Sequence, residues 1–149
     1  MSVYWRISAF ADLTGRGGAL ANGRWHHAGR PVVYLAETPA GAMLEVLVHL
    51  EIDPEDIPDN LRLMRVEVPE SVSVLAVQAL PDGWEELPEQ TRRIGSEWLE
   101  QGQSLLLDVP SAIMPHTTNT LFNPRHSEAA QATIIVETLH LDKRLLKGL

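Results

Sequence analysis

The chain has 149 residues, 44% of them hydrophobic, and a formal net charge of −8. A chain of that size builds one domain with a real core, burying roughly 70% of its unfolded surface. Its acidity argues against broad attraction to nucleic acid, whose non-specific affinity comes from Lys and Arg neutralising phosphates. Cysteine is absent, no basic-then-apolar leader opens the sequence, and no apolar run approaches the roughly 18 residues of a membrane span, so a cytoplasmic protein is expected.

Val3 to Ser8 mixes aromatic and β-branched residues and predicts a first strand. Thr14-Gly15-Arg16-Gly17-Gly18 breaks the pattern and reads as a loop. Asn22 to Pro31 is a second irregular stretch, dense in donors and aromatics, leading into a strand over Val32–Ala36. Arg6, Arg16, Arg24 and Arg30 make these first thirty positions locally cationic in an acidic protein. Thr38-Pro39 supplies a capping side chain and a proline at the first helical turn, so a helix should run to about Leu50. Ala40, Met43, Leu44, Leu47 and Val48 form its stripe; with Val46 and Leu50 off the stripe, the helix is predicted to be largely buried.

The acidic connector Asp53 to Asp59 reads as a surface loop. Strands are predicted over Leu61–Val68 and Val72–Val77, followed by a turn at Leu80-Pro81-Asp82-Gly83. A helix spans Pro88 to about Gln101, a strand Ser104–Val109 delivers Pro110 and Ser111 at its end, and Thr133–Leu139 is the last strand. Adjacent strand runs with short turns among helices fit an α+β fold, a single compact domain with a mixed sheet and few helices.

Several polar residues stand out against apolar surroundings, where an uncompensated charge is costly. Arg6 sits in the first strand, facing opposite to Trp5 and Ile7 by alternation, and can grip a phosphate or carboxylate or simply face solvent. Arg24, framed by Gly23 and Trp25 in a loop, has the same two readings. Glu45 and His49 are one turn apart and interrupt the apolar helix with a narrow polar strip; Glu45 opens on a cleft or pairs with His49 or an arginine. Ser111 lacks a Gly-x-Ser-x-Gly elbow, which argues against a serine nucleophile. His26, His27, His116 and His126 lack metal-type spacing, so no metal is assigned. Asn123-Pro124-Arg125-His126 reads as a turn.

Together Trp5-Arg6-Ile7-Ser8, Gly23-Arg24-Trp25-His26, Pro31-Val32-Val33-Tyr34, Ala42-Met43-Leu44-Glu45, Val109-Pro110-Ser111-Ala112 and Asn123-Pro124-Arg125-His126 resemble, in order and spacing, the RES domain of Xre-RES toxin–antitoxin pairs. The resemblance covers nearly the whole chain, 1–149, as one domain. It departs where the family commonly continues with Pro and an acidic residue and this chain has Ser127-Glu128. It implies an ADP-ribosyltransferase-like fold and a toxin that degrades NAD, with Arg6, Glu45 and Ser111 as catalytic residues and Arg24, Tyr34, Asn123 and His126 binding substrate. NAD is then substrate, with no separate cofactor. The implied partner is a cognate helix-turn-helix antitoxin of the Xre type that covers the active site and alone contacts nucleic acid; a hetero-oligomer, with or without a toxin homodimer, is expected.

The chemistry agrees with that implication. A pyrophosphate suits a guanidinium clamp from Arg6 and Arg24. Cleaving the nicotinamide–ribose bond builds oxocarbenium character, which a carboxylate such as Glu45 stabilises. Tyr34 can stack on a ring or bond a ribose hydroxyl, and Ser111 can orient a reacting group. The acceptor stays open among water, phosphate and a protein side chain. The alternatives are an ADP-ribosyltransferase acting on a protein or a non-catalytic interaction module; a ribonuclease is disfavoured by the acidic charge.

Overall fold

The computed structural model describes residues 1–49 and 59–146; the predicted end of the first helix at Leu50 and most of the acidic connector lie outside them. Seven strands form one mixed sheet: β1 (Ser2–Ser8), β2 (Val33–Ala36), β3 (Arg62–Val68), β4 (Val74–Ala76), β5 (Leu106–Pro110), β6 (Thr118–Phe122) and β7 (Thr133–Thr138). Their order is β4-β5-β6-β2-β1-β3-β7, antiparallel throughout except for the parallel β4–β5 pair. Three helices accompany it: α1 (Arg16–Leu20), α2 (Pro39–His49) and α3 (Pro88–Gln101), the last providing the crossover between the two parallel strands. The α+β domain with a mixed sheet is what the strand runs predict.

Alternation puts two apolar surfaces on the sheet. Val33, Leu35, Val66, Val68, Leu106 and Phe122 pack together on one face. On the other, Leu107, Val109 and Leu121 receive Trp98 and Leu99 of α3, with Trp25 and Val32 completing the cluster. Ile7 and Ala36 meet Ala42 of α2, joined by Trp5, Met43 and Val46.

Three elements depart from the sequence prediction. The Gly17-Gly18 stretch is helical, not loop: at Gly18 a Cβ would fall 2.6 Å from Val32 Cγ1, so the bare residue lets α1 lie against β2's entry. Strand β6 was not predicted, because Thr118-Asn119-Thr120 looks like polar turn until β2 and β5 flank it. Helix α2 begins as expected, with Thr38 Oγ1 accepting the Gly41 N–H at 2.9 Å, but it is half-buried rather than largely buried. Ala42 is its one fully buried residue; Ala40 and Val48 are exposed, Val48 at 50%. The sheet takes only the Ala42–Met43–Val46 side, which turns the Glu45–His49 side toward a cleft.

That cleft follows from a break in strand pairing. β1 pairs with β3 from Ser2–Val68 through Ser8–Arg62, yet meets β2 at Trp5–Ala36 alone. Beyond that point the two strands splay. Among the described residues, no helix is long and apolar enough to cross a membrane.

Candidate active site

A cleft of about 500 Å³ occupies the splay between β1 and β2, within the range of small-molecule sites. One wall comes from α2 (Ala42, Glu45, Val46, His49), the floor from Trp5, Ile7, Tyr34, Ala36 and Asn119, and the remainder from the segments that link β1 to β2, including Phe10, Asn22, Arg24 and His26. Arg6 also reaches it. Its alternation partner Tyr4 packs on the opposite sheet face with Val66 and Val68, so Arg6 enters the cleft only because the strands separate there.

Glu45 is held at one oxygen. Asn119 Nδ2 donates to Oε1 at 2.8 Å and Ser111 Oγ donates to the same oxygen at 3.3 Å. Oε2 has no hydrogen-bond partner among the described residues, and no described side-chain polar atom is both buried and unpartnered, so Oε2 is the oxygen open to solvent. No cation among the described residues pairs with Glu45; the alternatives of His49 or an arginine give way to two neutral donors from β6 and the β5–β6 turn. His49 is exposed and lines the cleft beside it.

The Ser111 hydroxyl is engaged by three hydrogen bonds. Its Oγ accepts the Ile113 and Met114 N–H groups at 3.1 Å each while donating to Glu45, and its own N–H bonds Thr117 O at 2.8 Å. The hydroxyl is 8% exposed at residue level, pinning the turn after β5.

The Arg6 guanidinium is already largely committed. Nη1 donates to the carbonyls of Phe10 at 3.3 Å and Asp12 at 2.6 Å, and Nη2 to Ser8 Oγ at 3.4 Å. Desolvation draws its pKa below the ordinary arginine value, with Asp12 acting in the opposite direction; a guanidinium nevertheless stays charged. Arg24 differs: among the described residues its side chain makes no hydrogen bond or ion pair, while its backbone is gripped from behind. Thr91 Oγ1 donates to Arg24 O at 2.5 Å, Arg92 Nε to Gly23 O at 2.9 Å, and the His27 N–H bonds Ser96 Oγ at 2.9 Å. Helix α3 therefore fixes the loop that presents Arg24.

Tyr34 is tied to His26, which the sequence set in a family motif and excluded as a metal ligand without giving it a role at the site. His26 Nε2 lies 2.7 Å from Gly18 O, an acceptor without a proton, so neutral His26 carries its hydrogen on Nε2. Nδ1 then accepts the Tyr34 O–H at 2.7 Å, and the phenol oxygen accepts the Trp25 N–H at 3.0 Å. Burial pushes the Tyr34 hydroxyl well up, opposed by Trp25 and Arg92. Desolvation lowers His26, opposed by its bonds to the Gly18 and Ala21 carbonyls. Both shifts keep the pair neutral.

Asn123 and His126 are not among the residues that line the cleft. Asn123 is 3% exposed, with its N–H on Leu105 O and Oδ1 accepting the Arg125 N–H. His126 Nδ1 accepts the Glu128 N–H at 3.0 Å, and Glu128 in turn accepts hydrogen bonds from the backbone and hydroxyl of Ser73. The two residues shape the corner after β6, at the end of that strand away from Asn119. Among the described residues, no cluster of His, Asp or Glu can hold a metal.

The structure thus gathers Arg6, Arg24, Tyr34 and Glu45 around one cleft, places Ser111 behind Glu45, and adds Asn119 and His26. A carboxylate with one fixed and one free oxygen, an unpaired guanidinium and an apolar floor suit a ligand carrying both a phosphate and a ring. The RES domain family model matches residues 3–144. The chain is 59% identical over 143 residues to the protein named Toxin Res of Pseudomonas putida, covering 96% of this chain and 99% of that one. It is 37% identical to Toxin Res of Photorhabdus laumondii, across 91% of this chain and 88% of the relative. It is 39% identical to the Prs ADP-ribosylating toxin of a Sphingobium species, across 85% and 84%. The extent of these matches, over nearly the whole chain, establishes that this chain belongs to the RES domain family.

Proposed function

We propose that the chain is a toxin that breaks the nicotinamide–ribose bond of NAD, transferring the ADP-ribosyl group to water or phosphate. The observation that carries the reading is Glu45: Oε1 is fixed by Asn119 and Ser111 while Oε2 stays free in a cleft that also holds Arg24. The free oxygen can stabilise positive charge growing on the ribose as nicotinamide departs with the bonding pair. Water then adds at the same carbon and gives up one proton, or phosphate adds without that loss, and ADP-ribose or its phosphate leaves. Arg24, with the N–H groups that Arg6 has to spare, would take the pyrophosphate. Tyr34 and Trp5 offer ring surface, and Ser111 acts through Glu45.

The name of the Sphingobium relative supports a second reading, in which the acceptor is a protein side chain. On either reading a cognate helix-turn-helix antitoxin, seated over the cleft in a hetero-oligomer, would hold the toxin inactive in the cytoplasm.

The test is nicotinamide release from NAD, followed by proton NMR with and without phosphate and with a protein extract as acceptor. Release by the wild type, reduced about a hundredfold by Glu45→Gln, supports NAD cleavage; the product formed identifies the acceptor. A Glu45→Gln protein as active as the wild type, or a wild type that releases nothing once freed of antitoxin, refutes it.

A further inference from the structure

Phe10 is an aromatic residue that lines the cleft yet stays 39% exposed. Its backbone, by contrast, is fixed on both sides: the Phe10 N–H bonds Ser8 Oγ at 3.0 Å and its carbonyl accepts from Arg6 Nη1. The segment continues in the same ordered way. Asp12 O accepts from Arg6, Asp12 Oδ1 accepts the Thr14 N–H at 3.0 Å and the Thr14 hydroxyl at 2.7 Å, and Asp12 Oδ2 pairs with Arg16 at 3.0 Å. Arg16, so anchored, lies 4.9 Å from the Phe10 ring centroid. Beside the ring is Gly17, where even a methyl carbon would come within 3.4 Å of Cε2.

Six ordered bonds therefore hold a residue that keeps more than a third of its surface open. A partly exposed aromatic lining a cleft, backed by a cation and flanked by a residue without a side chain, is a stacking platform for a second ring. It stands on the very segment whose carbonyls Arg6 grips, next to the guanidinium groups that suit a pyrophosphate. A pyrophosphate joins two nucleosides. With one glycosidic bond at Glu45, the other nucleoside has to leave the phosphates elsewhere along the cleft.

We infer that Phe10, supported by Arg16, is the platform for the second ring of a dinucleotide, the adenine when the ligand is NAD, and so selects dinucleotides over mononucleotides. The inference rests on the proposed NAD cleavage for its ligand. Arg6 then has a double part: it holds the rim that carries Phe10 as well as facing the phosphates.

The test compares NAD with nicotinamide mononucleotide, which keeps the scissile bond but lacks the second nucleoside, in the wild type, Phe10→Ala and Phe10→Trp. Thermal unfolding of each variant establishes that the fold is kept. Phe10→Ala should lower kcat/KM on NAD about tenfold, mainly through KM, leave the mononucleotide unchanged, and be rescued by Phe10→Trp. Equal losses on both substrates, or none on NAD, overturn the inference and leave NAD cleavage standing. Should the wild type cleave neither, NAD cleavage fails and binding of ADP by calorimetry decides: about tenfold weaker binding to Phe10→Ala upholds the platform, and equal or no binding overturns it.

Discussion

Replacing Gly95 with alanine tests whether α3 positions the Arg24 loop. On an exposed helix this exchange stabilises by about 1 kcal/mol, because alanine has the higher helix propensity. At Gly95 the added carbon would fall far inside van der Waals contact with the Trp25 carbonyl oxygen and 2.8 Å from its carbonyl carbon. Carbon atoms rest at about 3.5–4.0 Å, so the loop has to retreat by roughly 1 Å. That retreat takes the 2.9 Å bond from Arg92 to Gly23 O to nearly 4 Å, beyond hydrogen-bond range, and stretches the Thr91 bond to Arg24 O. Overpacking of this kind costs about 3 kcal/mol at the upper end of its usual range. Net of the propensity gain, Gly95→Ala should lose about 2 kcal/mol, or roughly 4–8 °C in Tm for a chain of this length. Circular dichroism melting beside Arg93→Ala, an exposed change on the same helix, measures it. Nicotinamide release should fall too, because Arg24 moves with its backbone. A Gly95→Ala protein that melts at or above the wild-type temperature refutes the clamp.

Three further outcomes are expected. Asn119→Ala removes the shorter of the two bonds on Glu45 Oε1, a charge-assisted bond of about 1.5–3 kcal/mol, and should slow nicotinamide release at least tenfold with little change in KM; unchanged turnover would show that Ser111 alone holds the carboxylate. His126→Ala should cost about 1 kcal/mol in urea unfolding while leaving turnover within about twofold, since the ring serves the Glu128 backbone outside the cleft; a loss of turnover at unchanged stability would return His126 to the site. Desolvation holds His26 below the ordinary histidine value of about 6.5 in the folded state, so the unfolded chain binds more protons in the window just below that value. Its contribution is complete above pH 6.5 and is lost as pH falls toward the lower folded value. Urea midpoints should therefore decline as pH falls below about 6.5, above the range where Asp12 and Glu128 protonate, and His26→Gln should flatten that decline; an equal slope in the variant would assign the decline to other groups.

The elements that announce themselves locally were legible in the sequence: β1 and β3 by alternation, α2 by Thr38-Pro39, α3 by the spacing of Ile94, Trp98 and Leu99. Glu45 was marked by the scarcity of polar residues on its helix, but its partners were not, because Asn119 and Ser111 are 74 and 66 positions away. Asn119 was hidden twice over, lying in a strand whose polar half resembles a turn. An alternation test on Thr118–Phe122, with Asn119 and Leu121 on one face, was the available signal. The burial of α2 was overestimated because periodicity counts apolar residues without telling which side the sheet will take. For Arg6 the sequence offers a phosphate grip or a solvent-facing side chain; its bonds to Phe10 and Asp12 depend on a loop path that spacing does not encode.

The splay of β1 from β2 has a consequence for measurement. A sheet ordered as seven strands but paired between β2 and β1 at Trp5–Ala36 alone has a narrow seam there, and the cleft beside it is lined by residues of both strands. A ligand in that cleft binds the folded chain and not the unfolded one, so occupancy raises the melting temperature. A ligand at a hundred times its Kd adds about 2.7 kcal/mol. The seam thus makes the protein its own reporter: a panel of nucleotides, phosphates and nicotinamide fragments can be ranked by thermal shift alone, in a catalytically dead background, before any product is assayed.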